Sequence, residues 1–195
     1  MLKSELRKKY LEKRKTLSMD EVLSLSDKIF QNFMTHFAPK KGDSIHIFLS
    51  IDKFKEVSTT NFIQQALTCG FRLFVPKMID GKLISLSLTS ETILETNSWG
   101  IQEPVGEEDS GEKDFNYVIT PLLYCDKSGN RVGYGKGFYD GLFHSLPKST
   151  KKIGVGFFSP NEEVSDATSY DVKLNYLINP DEIVSFGTGE EGIGF

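Results

Sequence analysis

Cysteine is scarce in this chain of 195 residues, which contains only Cys69 and Cys125. Two widely separated cysteines cannot build a disulfide framework or a cysteine-based zinc site. We expect both to be reduced residues of the core. The three histidines, His36, His46 and His144, also lie far apart in sequence and show no metal-ligand spacing. The sequence therefore gives no support for a zinc enzyme or for a disulfide-stabilised secreted fold.

Long apolar runs are missing as well. No stretch approaches the roughly 18 residues needed to span a membrane, and the first fifteen residues carry charge where a signal peptide would need its apolar segment. Hydrophobic residues make up 38% of the chain and include 15 phenylalanines, which excludes a chain that is disordered throughout. We therefore expect a cytoplasmic globular protein with no membrane partner.

Positive charge is concentrated at the start of an otherwise acidic chain. The first fifteen residues hold seven lysines and arginines but two glutamates, a local charge of +5, whereas the whole chain carries −4. A basic segment on an acidic body raises nucleic acid as a partner, and a solvent-exposed helix face is the alternative explanation. Because no basic stripe recurs downstream, we predict no nucleic-acid partner.

Hydrophobic periodicity predicts four helices. Apolar residues at positions 2, 6 and 10 predict a helix over 2–16. Ser18 and Glu21 have the spacing of a capping box, which predicts a second helix that ends near Phe37. A third helix is expected to begin at Ser58 or Thr59 and to end near Cys69, and a short fourth is expected over 138–145.

Short apolar and β-branched runs predict seven strands, at 44–50, 71–76, 82–88, 115–120, 151–157, 175–179 and 182–186. The order strand, helix, strand over 44–76 is typical of parallel strands. The sequence therefore predicts an α/β fold: one domain over residues 1–186, with an open, mixed, mainly parallel sheet and helices on both faces. The acidic stretch 98–113 is expected to connect strands, and the aperiodic residues 187–195 are expected to form a mobile tail.

The run GNRVGYGKGFYDG at 129–141 carries the strongest chemical signal. Gly133, Gly135 and Gly137 alternate, and glycine lets successive amides point their N–H groups into one anion-binding concavity. Arg131 and Lys136 add full positive charge. The predicted strand 115–120 leads directly into this run, and ligands of such sheets bind beyond the carboxyl ends of strands.

Further features of this run fit a nucleotide polyphosphate with its metal. A helix that begins directly after the glycines would add its positive end, and Asp140 could bind a magnesium ion that bridges phosphate oxygens. The run matches neither the Walker A motif, because glycine follows Lys136, nor the dinucleotide-binding fingerprint. An ordinary flexible loop is the alternative that these residues leave open.

The segment NRVGYGKGFYD closely resembles the signature of the 5-formyltetrahydrofolate cyclo-ligase family. Pro121 and Asp126 match the segment that precedes that signature. The resemblance covers nearly the whole chain, through residues 3–7, 48–59, 99–104, 151–157 and 169–178. It implies the open α/β fold that this family shares with sugar-phosphate isomerases and CoA transferases.

The resemblance also implies an activity. Enzymes of this family use ATP and magnesium to convert 5-formyltetrahydrofolate to 5,10-methenyltetrahydrofolate, with release of ADP and phosphate, through a phosphorylated formyl intermediate. By resemblance, the partners of the chain are therefore these two small-molecule substrates, and the protein is expected to be a monomer.

The resemblance assigns residues to four roles. The ATP-binding set comprises Lys3, Ser4, Glu5, Leu6, Arg7, Arg131, Val132, Gly133, Tyr134, Gly135, Lys136, Gly137, Phe138 and Tyr139. The folate-binding set comprises Leu49, Glu56, Tyr134, Gly135, Lys136, Gly137 and Phe138. Arg131, Tyr134 and Lys136 would be catalytic, and Asp140 and Asp171 would bind the metal.

Several of these assignments have plainer alternatives. Lys3 and Arg7 could belong to a solvated helix face, Asp171 could be a surface carboxylate at a strand edge, Glu56 a loop charge and Leu49 a core residue. Trp99 could stack on folate or serve as a packing anchor.

Two other functions remain open from the sequence. One is an ATP-dependent enzyme of the same fold that acts on another formyl or amide substrate. The other is a regulator that binds nucleotide or nucleic acid through the basic N-terminal helix. The set of Arg131, Lys136 and Asp140 argues against the regulator, because simple binding needs no metal-binding acid.

Overall fold

The structure is a computed structural model that describes residues 1–97 and 101–187. Its helices are α1 (Lys3–Lys15), α2 (Met19–Phe37), α3 (Thr60–Thr68) and α4 (Phe138–His144). Its strands are β1 (Ser44–Ile47), β2 (Arg72–Ile79), β3 (Lys82–Leu88), β4 (Leu94–Thr96), β5 (Gln102–Pro104), β6 (Tyr117–Pro121), β7 (Tyr124–Cys125), β8 (Arg131–Val132), β9 (Lys151–Val155), β10 (Tyr176–Ile178) and β11 (Ile183–Ser185).

Seven strands form one sheet in the order β11-β10-β9-β6-β1-β2-β3. The five central strands are parallel, and the edge strands β3 and β11 are antiparallel to their neighbours. Within this sheet Ile45 of β1 lies opposite Leu73 of β2 on one side and Tyr117 of β6 on the other. The predicted α/β fold with an open, mixed, mainly parallel sheet is confirmed.

The two faces of the sheet are covered by different helices. Side chains of successive strand residues point to opposite faces, so Tyr117 and Ile119 of β6 join the core cluster under α2 and α3. Val118 between them joins a second cluster, which includes Leu142 and Phe143 of α4. The prediction of helices on both faces is therefore confirmed.

Local sequence determines where α2 begins. The hydroxyl of Ser18 accepts a hydrogen bond from the Glu21 amide at 3.1 Å, and the Glu21 carboxylate accepts one from the Ser18 amide at 2.7 Å. This reciprocal pair satisfies two amides that would otherwise lack partners at the helix start. The predicted capping box is confirmed.

Helix α1 lies outside the sheet layers and packs on a small hairpin. The hairpin pairs β7 with β8, and the ring of Tyr10 stacks on that of Tyr124 at a centroid distance of 4.2 Å. Leu6 completes the contact with Val132. This packing holds the basic helix against the segment that leads into the glycine run.

The hairpin corrects the expectation that the glycine run follows the strand at 115–120 directly. Asp126 organises the tip of the hairpin, where its Oδ1 accepts hydrogen bonds from the amides of Ser128 and Asn130, both at 2.9 Å. The expectation of two core cysteines is also corrected, because Cys69 is exposed and only Cys125 is buried.

Two expectations concern residues that the structure does not describe. They are the role of Trp99 and the tail at 188–195. Within the described ranges, no helix combines the length and the apolar character that crossing a membrane requires.

Candidate active site

A cavity of about 410 Å³ lies between α1, the glycine run and the segment at 170–171. Its lining residues come from distant parts of the chain: Lys3, Arg7, Pro121, Arg131, Val132, Gly133, Tyr134, Gly135, Lys136, Gly137, Phe138, Tyr139, Asp140, Tyr170 and Asp171. The structure thus brings together both predicted metal ligands and the whole predicted ATP-binding set from Arg131 to Tyr139. We call this space the glycine-run cavity.

Arg7 attaches α1 to the glycine run. Its Nε donates a hydrogen bond to the carbonyl oxygen of Gly133 at 2.8 Å. Its guanidinium also lies against Gly135, where an added Cβ would be 3.0 Å from Nη2. Because Gly135 has a φ of +87°, glycine is required there both for the backbone conformation and for the approach of Arg7.

We expect Gly135→Ala to distort the wall of the cavity. The change combines an unfavourable positive φ with a close contact to Arg7, at a cost of about 1–3 kcal/mol. Thermal unfolding should show the loss of stability. Gly141→Ala in α4 is the matched control, since a Cβ there meets nothing within 4 Å. Equal unfolding temperatures for the two variants would contradict the expectation.

Arg131 and Asp140 form an ion pair at the floor of the cavity. Arg131 Nη2 lies 2.7 Å from Asp140 Oδ1, and both side chains are largely buried. The backbone of Val172 joins the pair, because its carbonyl accepts from Arg131 Nη1 at 3.1 Å and its amide donates to Asp140 Oδ1 at 3.0 Å. The pair therefore connects β8, α4 and the segment before β10.

A second ion pair stands at the rim, where Lys3 Nζ lies 2.6 Å from Asp171 Oδ1. The other carboxylate oxygen of Asp171 accepts hydrogen bonds from Thr168. Partial burial opposes ionisation, but the bonds from Lys3 and Thr168 hold the pKa of Asp171 below its ordinary value. Asp171 is therefore a carboxylate at neutral pH.

The two aspartates can accept a hard cation only with ligands from elsewhere. Within the described residues, no group of three or more histidine, cysteine, aspartate or glutamate side chains could hold a metal. Magnesium commonly takes one or two protein carboxylates and completes its shell with phosphate oxygens and water. Asp140 and Asp171 on one cavity fit that mode of binding.

Lys136 is an exposed cation of the cavity. It is exposed in the middle of the glycine run, and no acidic side chain of the described ranges forms an ion pair with it. Arg131 and Lys3 are already paired with carboxylates, and Arg7 is held by the carbonyl of Gly133. The exposed charge of Lys136 is therefore the one most available to an incoming anion.

The five residues of the N-terminal segment 3–7 do not all reach the glycine-run cavity. Only Lys3 and Arg7 line the cavity. Ser4 is exposed, Leu6 is fully buried, and Glu5 accepts a hydrogen bond from the Leu2 amide at 2.9 Å. Contacts of these three residues with ATP stay predictions.

The predicted folate residues Glu56 and Leu49 do not line the glycine-run cavity. Glu56 lies behind it, 5% exposed, and accepts a hydrogen bond from the Ile51 amide at 3.0 Å. Burial raises the pKa of Glu56, although the Ile51 amide, Arg14 and Tyr134 oppose the rise.

Leu49 lines a separate cavity of about 480 Å³ between α3, the end of β3 and the hairpin β4–β5. Hydroxyl and amide side chains dominate the polar part of this cavity, among them Ser50, Thr59 and Gln102. A ligand that contacts both Leu49 and the glycine run must therefore extend over both cavities.

Sequence reasoning missed two residues of the glycine-run cavity. Tyr170 lies at its mouth, 60% exposed, with its ring 5.1 Å from that of His144. Its position next to Asp171 was the available signal. Pro121 ends β6 inside the cavity and was noted only for its place in the motif.

Comparisons with known proteins show which family the chain resembles. A family model described as the 5-formyltetrahydrofolate cyclo-ligase family matches residues 1–165. A 5-formyltetrahydrofolate cyclo-ligase of Mycoplasma pneumoniae is 30% identical over 183 residues, which cover 92% of this chain and 99% of the relative. A probable 5-formyltetrahydrofolate cyclo-ligase of Schizosaccharomyces pombe is 30% identical over 162 residues, 74% of this chain and 78% of the relative.

Solved structures show the same similarity. The 5,10-methenyltetrahydrofolate synthetase of Aquifex aeolicus superposes with a TM-score of 0.82 at 29% identity, and the match covers 100% of this chain and 96% of that one. The corresponding synthetase of Mycoplasma pneumoniae gives a TM-score of 0.71 at 27% identity, with 93% of this chain and 100% of that one covered.

Proposed function

The chain belongs to the 5-formyltetrahydrofolate cyclo-ligase family, and on this premise we propose that it converts 5-formyltetrahydrofolate to 5,10-methenyltetrahydrofolate with ATP and magnesium, releasing ADP and phosphate. One observation carries the ATP-dependent part of the proposal. The glycine-run cavity combines an unpaired lysine with two carboxylates and with the basic start of α1. This combination suits a magnesium-bound triphosphate.

The chemical task explains why a phosphate-binding site is needed. A formamide oxygen is a poor leaving group, yet ring closure must expel it. In the proposed reaction the formyl oxygen attacks the γ-phosphorus of ATP, and ADP leaves. Nitrogen 10 of the folate then attacks the formyl carbon and loses its proton, while the C–O bond breaks and phosphate departs. The protein contributes positioning and charge stabilisation.

Lys136 is the proposed catalytic cation. Its ammonium would stabilise the negative charge of the phosphoryl group during transfer, and the amides of the glycine run would bind the other phosphate oxygens. Tyr134 and Phe138, which flank this lysine, are 42% and 40% exposed, so their rings can pack on the folate.

The acidic residues would hold the magnesium ion with phosphate oxygens and water. A bound ion would neutralise triphosphate charge. In the protein alone, Lys3 neutralises Asp171, and Arg131 neutralises Asp140. If Asp171 held the ion, the ammonium of Lys3 would become available to the triphosphate.

Absorbance spectroscopy tests the proposed reaction directly. The methenyl product has a conjugated chromophore that 5-formyltetrahydrofolate lacks. We expect a growing absorbance only when protein, 5-formyltetrahydrofolate, ATP and magnesium are all present. Folded protein that binds ATP without this signal would overturn the proposal and favour an enzyme for another formyl or amide substrate.

We expect Glu56→Gln to weaken the use of folate selectively. A carboxylate can pair with the 2-amino and ring N–H donors of the pterin, and a hydrogen bond to a charged group contributes about 1.5–3 kcal/mol. The KM for 5-formyltetrahydrofolate should rise roughly 10- to 100-fold, while the KM for ATP stays unchanged. Steady-state kinetics with each substrate varied in turn measures both.

The exposed Glu107 provides the control, because Glu107→Gln removes a loop charge that belongs to neither cavity lining. A variant Glu56→Gln that lost affinity for ATP instead would show that Glu56 serves the nucleotide and not the folate.

A further inference from the structure

Arg14 is an unusually placed charge. It lies in the last turn of α1 and is only 3% exposed, whereas a buried arginine normally requires a paired anion. Within the described residues no carboxylate lies within ion-pair distance of it. Its Nη2 donates instead to the hydroxyl of Tyr134, and its Nε is buried without a hydrogen-bond partner.

Tyr134 connects Arg14 to Glu56. Its hydroxyl accepts the hydrogen bond from Arg14, and its ring lies 5.8 Å from that of Phe54, two residues before Glu56. Tyr134 also opposes the rise that burial gives to the pKa of Glu56. A phenolic hydroxyl can accept one hydrogen bond while it donates another, so the proton of Tyr134 is available to Glu56. The order of groups is therefore guanidinium, hydroxyl, carboxylate.

Other groups complete the surroundings of Glu56. The Ile51 amide donates to its Oε2. The hydroxyl of Tyr139, in the first turn of α4, is buried without a partner, and burial together with the charge of Glu56 raises the pKa of Tyr139. The charged and titratable groups that act on Glu56 are thus Arg14 from α1, Tyr134 from the glycine run and Tyr139 from α4.

The geometry of α1 explains how one helix can control this cluster. Arg7 and Arg14 are seven residues apart, close to two helical turns, and so project from the same face. Arg7 binds the backbone of Gly133, and Arg14 binds the side chain of the next residue, Tyr134. The helix therefore fixes both the backbone and the side chain beside Glu56.

We propose that Arg14 is a positioning residue for the folate substrate, which acts through the Tyr134 hydroxyl to hold Glu56 as an oriented carboxylate. The inference rests on the proposed function, because it takes Glu56 as the acceptor of the pterin donors. It extends that function to a residue of α1 that lines neither cavity.

The proposal has a pH signature with a definite sign. Burial raises the pKa of Glu56, and Arg14 and Tyr134 partly counter that rise. Removal of either partner therefore raises the pKa of Glu56 further. Since the pterin donors need the ionised carboxylate, kcat/KM for folate should fall on the acidic side at a higher pH in the variants than in the natural protein.

The decisive experiment compares these pH profiles for Arg14→Met, Tyr134→Phe and the double variant. We expect the acidic limb of kcat/KM for 5-formyltetrahydrofolate to move upward by about 1 pH unit in each single variant. The acidic limb of the double variant should lie at the same pH as that of Arg14→Met. The KM for ATP should stay constant in Arg14→Met, and Arg14→Lys should restore part of the profile.

Lys8→Met is the matched control, because Lys8 is an exposed cation of the same helix. A carboxyl NMR titration, with Glu56→Gln used to assign the signal, measures the pKa of Glu56 in the protein alone. If Arg14→Met fails to fold, the same pH profiles are measured on Arg14→Lys and Tyr134→Phe.

The outcomes separate the two proposals. Suppose that the natural protein is active, and that neither the acidic limb nor the pKa of Glu56 moves in the Arg14 and Tyr134 variants. This result would overturn the role of Arg14 alone. Folded natural protein that neither binds nor converts 5-formyltetrahydrofolate would overturn the proposed function, and the role of Arg14 with it.

Discussion

Lys136→Ala should remove most of the turnover and leave the fold unchanged. Lys136 is an exposed lysine of the glycine-run cavity, and loss of one preorganised charge-stabilising group commonly lowers kcat by about 100- to 1,000-fold. Its side chain is exposed, so its removal exposes no apolar surface and leaves no buried ion without a partner. The absorbance assay and thermal unfolding, applied to the same preparation, measure the two effects separately.

Lys127→Ala is the control for this change, because Lys127 is also an exposed loop lysine but lies at the tip of the hairpin β7–β8. We expect it to keep normal turnover. Parallel losses of turnover and unfolding temperature in Lys136→Ala would mean that this lysine supports the loop and does not act on the phosphoryl group.

Asp140→Asn should produce the largest loss of stability among the changes to the site. It leaves the guanidinium of Arg131 buried without its counter-ion, and breaking a buried pair in this way costs about 3–5 kcal/mol. For a chain of this length the unfolding temperature should fall by roughly 6–20 °C. Turnover should also fall, since Asp140 is a proposed magnesium ligand.

Asp109→Asn tests whether any lost ion pair would have the same effect. Asp109 faces Lys113 at 3.9 Å on the surface, where such pairs contribute about 0–1 kcal/mol. The double variant of Asp140→Asn with Arg131→Met should recover part of the stability, because it removes the unpaired charge. A double variant less stable than Asp140→Asn alone would show that Arg131 stabilises the fold by other contacts.

The elements that the sequence predicts well are those whose signals are local. The capping pair of Ser18 and Glu21 placed the start of α2 within one residue, because both partners lie in the same turn. The strands of the main sheet were found for a similar reason. Each is a short apolar run, and the βαβ order over 44–76 makes β1 and β2 parallel.

The elements that the sequence missed are too short to show a period. Strands β7 and β8 have two residues each. Their hairpin depends on hydrogen bonds that the Asp126 carboxylate accepts from the amides of Ser128 and Asn130. The exposure of Cys69 was missed for a different reason. Residue type predicts average burial, whereas the position of a residue at the end of α3 decides the individual case.

For the site, the glycine run indicated which residues could bind phosphate, and the resemblance added the residues of α1. Neither could reveal that Lys3 pairs with Asp171, because these residues are far apart in sequence and only the fold brings them together. Arg14 shows the same limit. In the sequence it is one of seven basic residues at the start of the chain, and only the packing of α1 shows that it is buried.

The order in which the chain is synthesised determines when α1 can dock. This helix of 13 residues is synthesised before the other helices and strands that the structure describes, and alone it is too short to be stably helical in water. Its partners Gly133, Tyr134 and Asp171 are synthesised much later. The high charge of α1 keeps the helix segment hydrated until these partners have been synthesised.

The glycine-run cavity can therefore close only after the last segment of its lining, Tyr170 and Asp171, has been synthesised. A nascent chain that stops before Asp171 can build much of the central sheet but cannot complete the cavity. Formation of the central sheet and completion of the glycine-run cavity are thus separate events, and α1 is synthesised before the residues on which it docks.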